Sequence, residues 1–438
     1  MSEIFHEQLQ ALRAQSLHRK LREIGTAQGP EVQIVGKQLV NFSSNDYLGL
    51  ANDSLLRDAA IAAIAEFGVG AGASRLISGT QSPHVRLEAA LAKWKGTPAA
   101  LAFSSGYAAA VGTIPALAGK KDVVLLDKLS HASLIDGAKL CGATIRVFPH
   151  NHLGKLESHL EWARRERPDG RLLVVTESVF SMDGDRAPLR ELVGLKKRFG
   201  ALLLLDEAHA IGVIGEHGRG LAHELDLTRH VDVQMGTLSK ALGVSGGYIC
   251  GSRSLIEWLV NRARAFIFST APPPALAAAA TAAIEFLGSN AGEECRLLLW
   301  ENIEALRAAL GPMASQPSQI PVLAAASSKA PKRAVLRQFL TGIRAAHESV
   351  AGSDKPTPAP TQTGSAIHPL IIGDEEAAID LSRSLQAEGF LVPAIRYPTV
   401  SKGAARLRIT VSATHDKTQI RALAGAIQRL RPKEVVPD

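Results

Sequence analysis

The chain is poor in cysteine. Three occur in 438 residues, Cys141, Cys250 and Cys295, and no two of them form a CxxC pair. An odd, unpatterned set builds neither a disulfide framework nor a structural zinc site, and it fits a reducing compartment. No uninterrupted apolar run reaches the roughly 20 residues that span a bilayer. The opening MSEIFHEQLQ is polar and acidic, unlike a secretory signal. The expected location is cytoplasmic, with no membrane contact. A long basic run is also missing. Formal net charge is +7, from 49 basic and 42 acidic residues, yet the densest cluster, Arg164-Arg165-Glu166-Arg167, is short and interrupted. That argues against a nucleic-acid partner and for mild attraction to an acidic or phosphorylated substrate. The cluster itself reads as a solvated helix face. A phosphate loop of the form GxxxxGK[ST] is absent too: GK occurs at 36–37, 119–120 and 154–155, never followed by Ser or Thr. This removes the nucleotide-hydrolase reading of the DEAH tetrad at 206–209.

What the chain does have is a rhythm. Between about 99 and 251, apolar runs alternate with helix-like stretches: AALAF (99–103), DVVLLD (122–127), ATIRVF (143–148), RLLVVT (171–176), ALLLLD (201–206) and GYICG (247–251). Runs without polar alternation predict strands buried on both faces, and helices between them predict right-handed crossovers in a mainly parallel sheet. Ligands bind at the carboxyl ends of such strands. The length suggests a large domain plus a smaller one. We expect an N-terminal arm at 1–45, a large domain at 46–290 and a small domain at 291–438. Within the last, 312–364 stands apart. Its ends, PMASQPSQIP and GSDKPTPAPTQTGS, are rich in Pro, Ser and Thr. Between them KRAVLRQFLTGIRAAH predicts a basic amphipathic helix with Val335, Leu336, Phe339, Leu340 and Ile343 on one side, as a surface helix or a docking site.

The residues after the predicted strands are the candidates. Asp206 ends ALLLLD and must be paired or hydrogen-bonded if buried. His131 and the pair Glu177 and Ser181 follow other strands. Ser104, Ser105, Gly106 and Tyr107 lie between a strand and a helix start, where free N–H groups can hold a phosphate. GVSGG (243–247) matches the serine-hydrolase elbow GxSxG through Ser245, but that elbow needs a strand before the serine and a helix after it. Here the order is reversed, and small residues packing closely is the better reading. Lys240 sits in GTLSKALGVSGG among small and apolar residues. A lysine in a less polar site has a depressed pKa and attacks aldehydes as a neutral amine. An amine, a carboxylate for a ring nitrogen, and hydroxyls with a glycine turn for a phosphate together match the needs of pyridoxal phosphate (PLP).

The stretches NFSSNDYLGL, GASRLISGTQSPHVRLE, FSSGYAA, LSHASLIDGA, TESVFSMDGDRAPL, DEAHAIGVIGEHGRG, GTLSKALGVSGGYICG, FIFSTAPPP, SAIHPLIIGD and AIRYPTVSKGAARLRIT run from about 40 to 415. In them the chain resembles the α-oxoamine synthases, PLP enzymes of fold type I. The resemblance implies a three-layer α/β large domain with a mainly parallel sheet and a smaller C-terminal α+β domain. It implies that Lys240 captures the cofactor aldehyde, that Asp206 pairs with the ring nitrogen, and that His131 stacks on the ring near substrate. His209 and Ser181 would contact the ring hydroxyl region. Gly106, Tyr107 and Thr237 would hold the cofactor, mostly near its phosphate. Thr270 would reach the phosphate of a neighbouring subunit, hence a homodimer with shared sites. Arg408 would bind the amino-acid carboxylate, with Arg406 on the same strand face as its competitor. Thr399 would touch substrate, and Arg19, with Arg22 as competitor, the acyl substrate. SMDGDRAPL, LSKALG and AIRYPTV resemble the member that condenses L-alanine with a pimeloyl thioester, carried on coenzyme A or an acyl carrier protein, in biotin synthesis. A member using glycine with an acetyl or succinyl thioester, a serine hydrolase through Ser245, and a non-catalytic binding protein are the alternatives. The family pattern spans the region of 312–364 with far fewer residues.

Overall fold

The computed structural model describes residues 2–314 and 364–430. The amphipathic helix expected at 335–343 lies outside these. In chain order the strands are β1 (Glu31–Ile34), β2 (Lys37–Asn41), β3 (Ala99–Phe103), β4 (Val123–Asp127), β5 (Thr144–Phe148), β6 (Leu172–Glu177), β7 (Leu202–Asp206), β8 (Val233–Thr237), β9 (Gly247–Gly251), β10 (Ile367–Gly373), β11 (Phe390–Leu391), β12 (Ala394–Ile395) and β13 (Ala405–Thr410). A seven-stranded sheet has the order β3-β9-β8-β7-β6-β4-β5. Every pairing is parallel except those of β9, which runs antiparallel to both β3 and β8. All six apolar runs read from the sequence became strands. The reading missed β8, because Gln234 and Gly236 break its apolar character.

The sheet is buried on both faces, as the runs require. Val123, Leu125, Leu172, Val174, Leu203 and Leu205 face one core. Their alternates Val124, Leu126, Leu173, Val175 and Leu204 face the other. This period-two division is why the strands read as continuous apolar runs. Helices on both sides complete the three layers.

A third core gathers Phe42, Leu306, Leu310, Leu370, Leu385, Leu407, Ile409, Ile420, Leu423 and Ile427. β10, β13 and β12 form its sheet, and β11 pairs in parallel with β2. Helix Asn290–Leu310 serves two cores: Leu299, Trp300 and Ile303 join the first, Leu306 and Leu310 the third. We propose that the smaller domain begins near 291 and includes β2 and Phe42 from the stretch read as an N-terminal arm. Among the described residues no helix is long and apolar enough to cross a membrane.

One buried ion pair anchors the turn after β7. The Lys95 ammonium, at the end of helix Ser82–Lys95, donates to Glu207 Oε2 at 2.6 Å and to the Arg219 carbonyl. Glu207 Oε1 accepts from the Ala222 N–H at 3.0 Å. Both side chains are essentially sealed from water. Removing one partner of such a pair strands the other charge in the core. Lys95→Met is therefore expected to lower unfolding free energy by about 3–5 kcal/mol in urea titration. Lys95→Met combined with Glu207→Gln should recover more than half of that loss, and equal losses in the two variants would contradict the assignment.

Candidate functional site

The crevice opens where the topology places it, at the carboxyl ends of the parallel strands. Ser105, Gly106, Tyr107, His131, Ser133, Glu177, Asp206, Ala208, His209, Met235, Thr237, Ser239 and Lys240 line a cavity of about 250 Å³. Its lining comes from the ends of β3, β4, β6, β7 and β8 and the turns that follow them.

Phosphate-sized polar contacts collect at one end. Ser105 caps helix Gly106–Leu117, accepting from the Ala108 N–H at 3.0 Å, so the helix start and its positive dipole end face the crevice. Thr237 Oγ1 donates to the Gly246 carbonyl at 2.8 Å and lies 2.8 Å from Ser239 Oγ. The glycines next to these residues are steric necessities. A Cβ on Gly247 would lie 2.5 Å from the Ser105 carbonyl oxygen. Gly243, with φ of +68°, would drive a Cβ to 2.5 Å from the Ala51 nitrogen. Close packing is thus what GVSGG does. Ser245 is exposed on the turn between β8 and β9, with a strand after it instead of a helix, so the hydrolase elbow is excluded.

The other end holds the charges. Asp206 ends β7 and Glu177 ends β6, paired in register, and both are buried. Asp206 Oδ1 accepts from the Ala208 N–H at 2.9 Å, and Glu177 Oε1 from the His131 N–H at 2.6 Å. Burial raises the Asp206 pKa, opposed by the Lys240 charge and the Ala208 N–H. Burial raises Glu177 well above the usual carboxylate range, and the neighbouring Asp206 charge adds to it. Of the two, Glu177 is held further toward its protonated form. The Lys240 ammonium is pushed down to about 8 by burial, with Asp206 and Glu177 opposing. Its Nζ makes no hydrogen bond among the described residues.

Two neutral imidazoles complete the lining. His131 caps helix Ala132–Cys141, and its Nδ1 accepts from the Ser133 N–H at 3.2 Å, which leaves the proton on Nε2. Burial lowers its pKa, against the pull of Asp206. His209 is pushed well below its ordinary value by burial and then by Lys240 and Arg408. Its Nδ1 lies 2.6 Å from the Tyr47 hydroxyl, whose pKa burial raises and the Arg408 charge lowers. Tyr47 was not among the sequence candidates. It sits inside NFSSNDYLGL, on an irregular turn where no periodicity marks it.

The arginine alternatives separate clearly. Arg406 is buried and salt-bridged to Asp183 at 2.7 Å. Arg408 is equally buried, its Nε donates to the Ser181 carbonyl at 2.6 Å, and no carboxylate pairs with it among the described residues. Arg19 donates to Thr399 Oγ1 at 3.3 Å, which joins two sequence candidates, whereas Arg22 turns to Gln386 Oε1 at 3.2 Å. Ser181 is buried beside the cavity and outside its lining, meeting the site through its carbonyl. Tyr107 donates to Asp136 Oδ2 at 2.9 Å. Thr270 is exposed and bridges to Ser74, outside the lining.

A lysine amine without a hydrogen bond, a buried carboxylate opposite it, and hydroxyls at a helix start match the donor set expected for PLP. The unpaired Arg408 guanidinium adds a seat for a carboxylate.

Known proteins share this architecture. The family model for aminotransferase class I and II matches residues 37–427. An 8-amino-7-oxononanoate synthase of Geobacter sulfurreducens is 44% identical over 97% of this chain and 96% of its own. One of Anaeromyxobacter sp. is 43% identical over 98% and 96%. Among solved structures, a serine palmitoyltransferase from S. paucimobilis with bound PLP and myriocin has TM-score 0.82 at 30% identity, covering 97% of this chain and 96% of that one. An 8-amino-7-oxononanoate synthase from Francisella tularensis has TM-score 0.68 at 25% identity, covering 89% and 97%.

The depressed Lys240 pKa is directly measurable. In the cofactor-free protein, acylation of Lys240 should titrate with a midpoint near 8, against about 10.4 for an ordinary lysine. Labelling rises with pH because only the neutral amine reacts. Asp206 raises the midpoint, so Asp206→Asn should lower it. Peptide mass spectrometry across pH 6–11 checks both, and a midpoint near that of surface lysines would refute burial of the amine.

Proposed function

This chain belongs to the aminotransferase class I and II family, and from that premise we propose that it works as an 8-amino-7-oxononanoate synthase. It condenses L-alanine with a pimeloyl thioester, releasing the carrier thiol and carbon dioxide, in biotin synthesis. The observation that carries this reading is the crevice in which Lys240 faces Asp206 beside the unpaired Arg408. When bound, PLP supplies an aldehyde for covalent capture of the amino group and a cationic heterocycle that draws electrons from the amino acid Cα.

The chain's own residues do the rest. Asp206, ending a buried strand, would accept a hydrogen bond from the protonated ring nitrogen and so keep that ring cationic. The helix start at Gly106 and the hydroxyls of Thr237 and Ser239 take the phosphate. Lys240 alternates between holding the cofactor and serving as base: with a pKa near 8 it can take a proton from alanine Cα and return one to the product. Arg408 holds the alanine carboxylate. His131, neutral with its proton on Nε2, covers the ring and offers a donor to substrate. The neutral His209, fixed by Tyr47, and Ser181 flank the ring hydroxyl. Arg19 and Thr399 meet at the surface and take the acyl substrate. The acyl group arrives on coenzyme A or an acyl carrier protein, both acidic, in keeping with the net charge of +7.

A homodimer fits the surface around Thr270. Ser74 pairs with Thr270, and nearby Ile77 and Phe268 are 81% and 70% exposed. An apolar surface of this kind supports an interface with a second copy, which would bring Thr270 to the partner's cofactor. One observation favours a second reading. The solved structure with TM-score 0.82 is a serine palmitoyltransferase, which makes serine and long-chain acyl thioesters the rival substrates.

Lys240→Ala is expected to abolish both the visible absorbance of the PLP-loaded protein and turnover. A variant with normal colour and rate would refute the role. Arg408→Gln should raise the alanine KM by about 10- to 100-fold, the worth of a charge-assisted hydrogen bond. Alanine, glycine and serine, each assayed against pimeloyl, acetyl, succinyl and palmitoyl thioesters, decide the substrate. Turnover confined to serine with palmitoyl thioester would overturn the alanine assignment.

A further inference from the structure

Beneath the crevice lies a charged cluster with no part in the chemistry above. His150 follows β5 in the stretch FPHNH, and its ring reaches two carboxylates on different elements. Nδ1 lies 3.0 Å from Asp127 Oδ1 and Nε2 2.7 Å from Asp185 Oδ2. A neutral imidazole has one N–H and could serve only one carboxylate as donor, so the geometry requires both nitrogens protonated. Burial works against that charge, but the hydrogen bonds and charges of Asp127 and Asp185 raise the His150 pKa to about 10. The edge of Phe180 packs against the ring at 4.3 Å between centroids. Asn151 closes the cluster, its N–H donating to Asp127 Oδ2 at 2.8 Å and its amide to Asp185 Oδ2 at 3.1 Å.

Each carboxylate holds one turn or loop next to the crevice. Asp127 ends β4 and accepts from the Leu129 N–H at 2.8 Å, while its carbonyl accepts from the Ser130 N–H at 3.1 Å. That turn delivers His131. Asp185 closes the loop after β6, where its carbonyl accepts from the Phe180 N–H at 3.0 Å. That loop carries Ser181, whose carbonyl holds Arg408.

We propose that His150 is a positioning residue: as a doubly bonded imidazolium it clamps the His131 turn to the Ser181 loop and so fixes the substrate carboxylate seat at Arg408. The imidazolium also offsets the Asp127 charge, which otherwise adds to the proton affinity of Glu177. The proposal rests on the reading of Arg408 above, and its test separates the two.

The test uses His150→Gln, whose two N–H donors share one nitrogen and cannot span the two carboxylates as the opposed ring nitrogens do, and Asp185→Asn. Hydrogen exchange of the free protein reads the clamp without any substrate. Faster exchange is expected at 128–131 and 178–183 in His150→Gln, with β7 and β8 unchanged. In Asp185→Asn only 178–183 should loosen. In steady-state kinetics of the PLP-loaded enzyme, both variants should raise the alanine KM by about tenfold or more, while the KM for the acyl thioester stays within about twofold of the parent. Unchanged exchange in both segments, or a parallel rise of the two KM values, would overturn the proposal. If exchange loosens as expected and the alanine KM does not move, the clamp stands and the placement of the carboxylate at Arg408 falls. Asp185 is 31% exposed, so if His150→Gln fails to fold, Asp185→Asn decides the matter by the same readouts.

Discussion

Two carboxylates end adjacent strands, side by side and buried, and face one amine. This crowding sets the chemistry of the crevice. Neighbouring strands lie about 4.8 Å apart, and two like charges at that spacing repel by of order 3 kcal/mol at an effective dielectric of 20. Glu177 and Asp206 therefore resist ionising together. Glu177 is raised further because it has the weaker share of the Lys240 charge. Asp206 has the Ala208 N–H and Lys240 to hold its charge. A cation placed between them favours the charged form of both and so eases that division, Asp206 gaining more from Lys240 than Glu177 does. The same burial that raises the acids lowers the amine, so one desolvated space yields a carboxylate ready for a protonated ring and a lysine near neutrality.

Much of this was legible in the sequence because it follows from periodicity and strand ends. Six apolar runs became six strands, and residues at or after the ends of four of them, β3, β4, β6 and β7, became most of the lining. Lys240, Asp206, His131, His209, Gly106, Tyr107 and Thr237 all reach one cavity. The rest was hidden for physical reasons. β8 carries Gln234 and Gly236 at positions where a run is expected to be apolar. Tyr47 comes from a turn some 160 residues away from its partner His209, a contact that only the tertiary fold creates. Glu177 was visible as a strand-end acid, but its raised pKa depends on register with Asp206. The choice between Arg406 and Arg408 could not be made from strand period, since both point to the same face. It needed Asp183, more than 200 residues earlier in the chain.

That last pair shows how the protein sorts its charges. Lys95 with Glu207, Arg406 with Asp183, and His150 with Asp127 and Asp185 are buried or half-buried ionic groups matched to partners. They surround the crevice and fix its turns: Glu207 adjoins Asp206, Asp183 adjoins the Ser181 loop, and Asp127 precedes His131. Inside that ring, among the described residues, Lys240 makes no hydrogen bond and Arg408 donates to the Ser181 carbonyl with no carboxylate beside it. A buried or half-buried cation without a full partner is costly, and the cost is tolerated where a ligand carries the missing charge. The paired groups resist motion because breaking any one strands its partner. The incompletely paired groups keep their electrostatic demand for the moment a phosphate, a ring and a carboxylate arrive. Rigidity outside and unmet charge inside are thus two consequences of one rule, that buried charge must find its counterpart, applied in one place within the chain and in the other between chain and ligand.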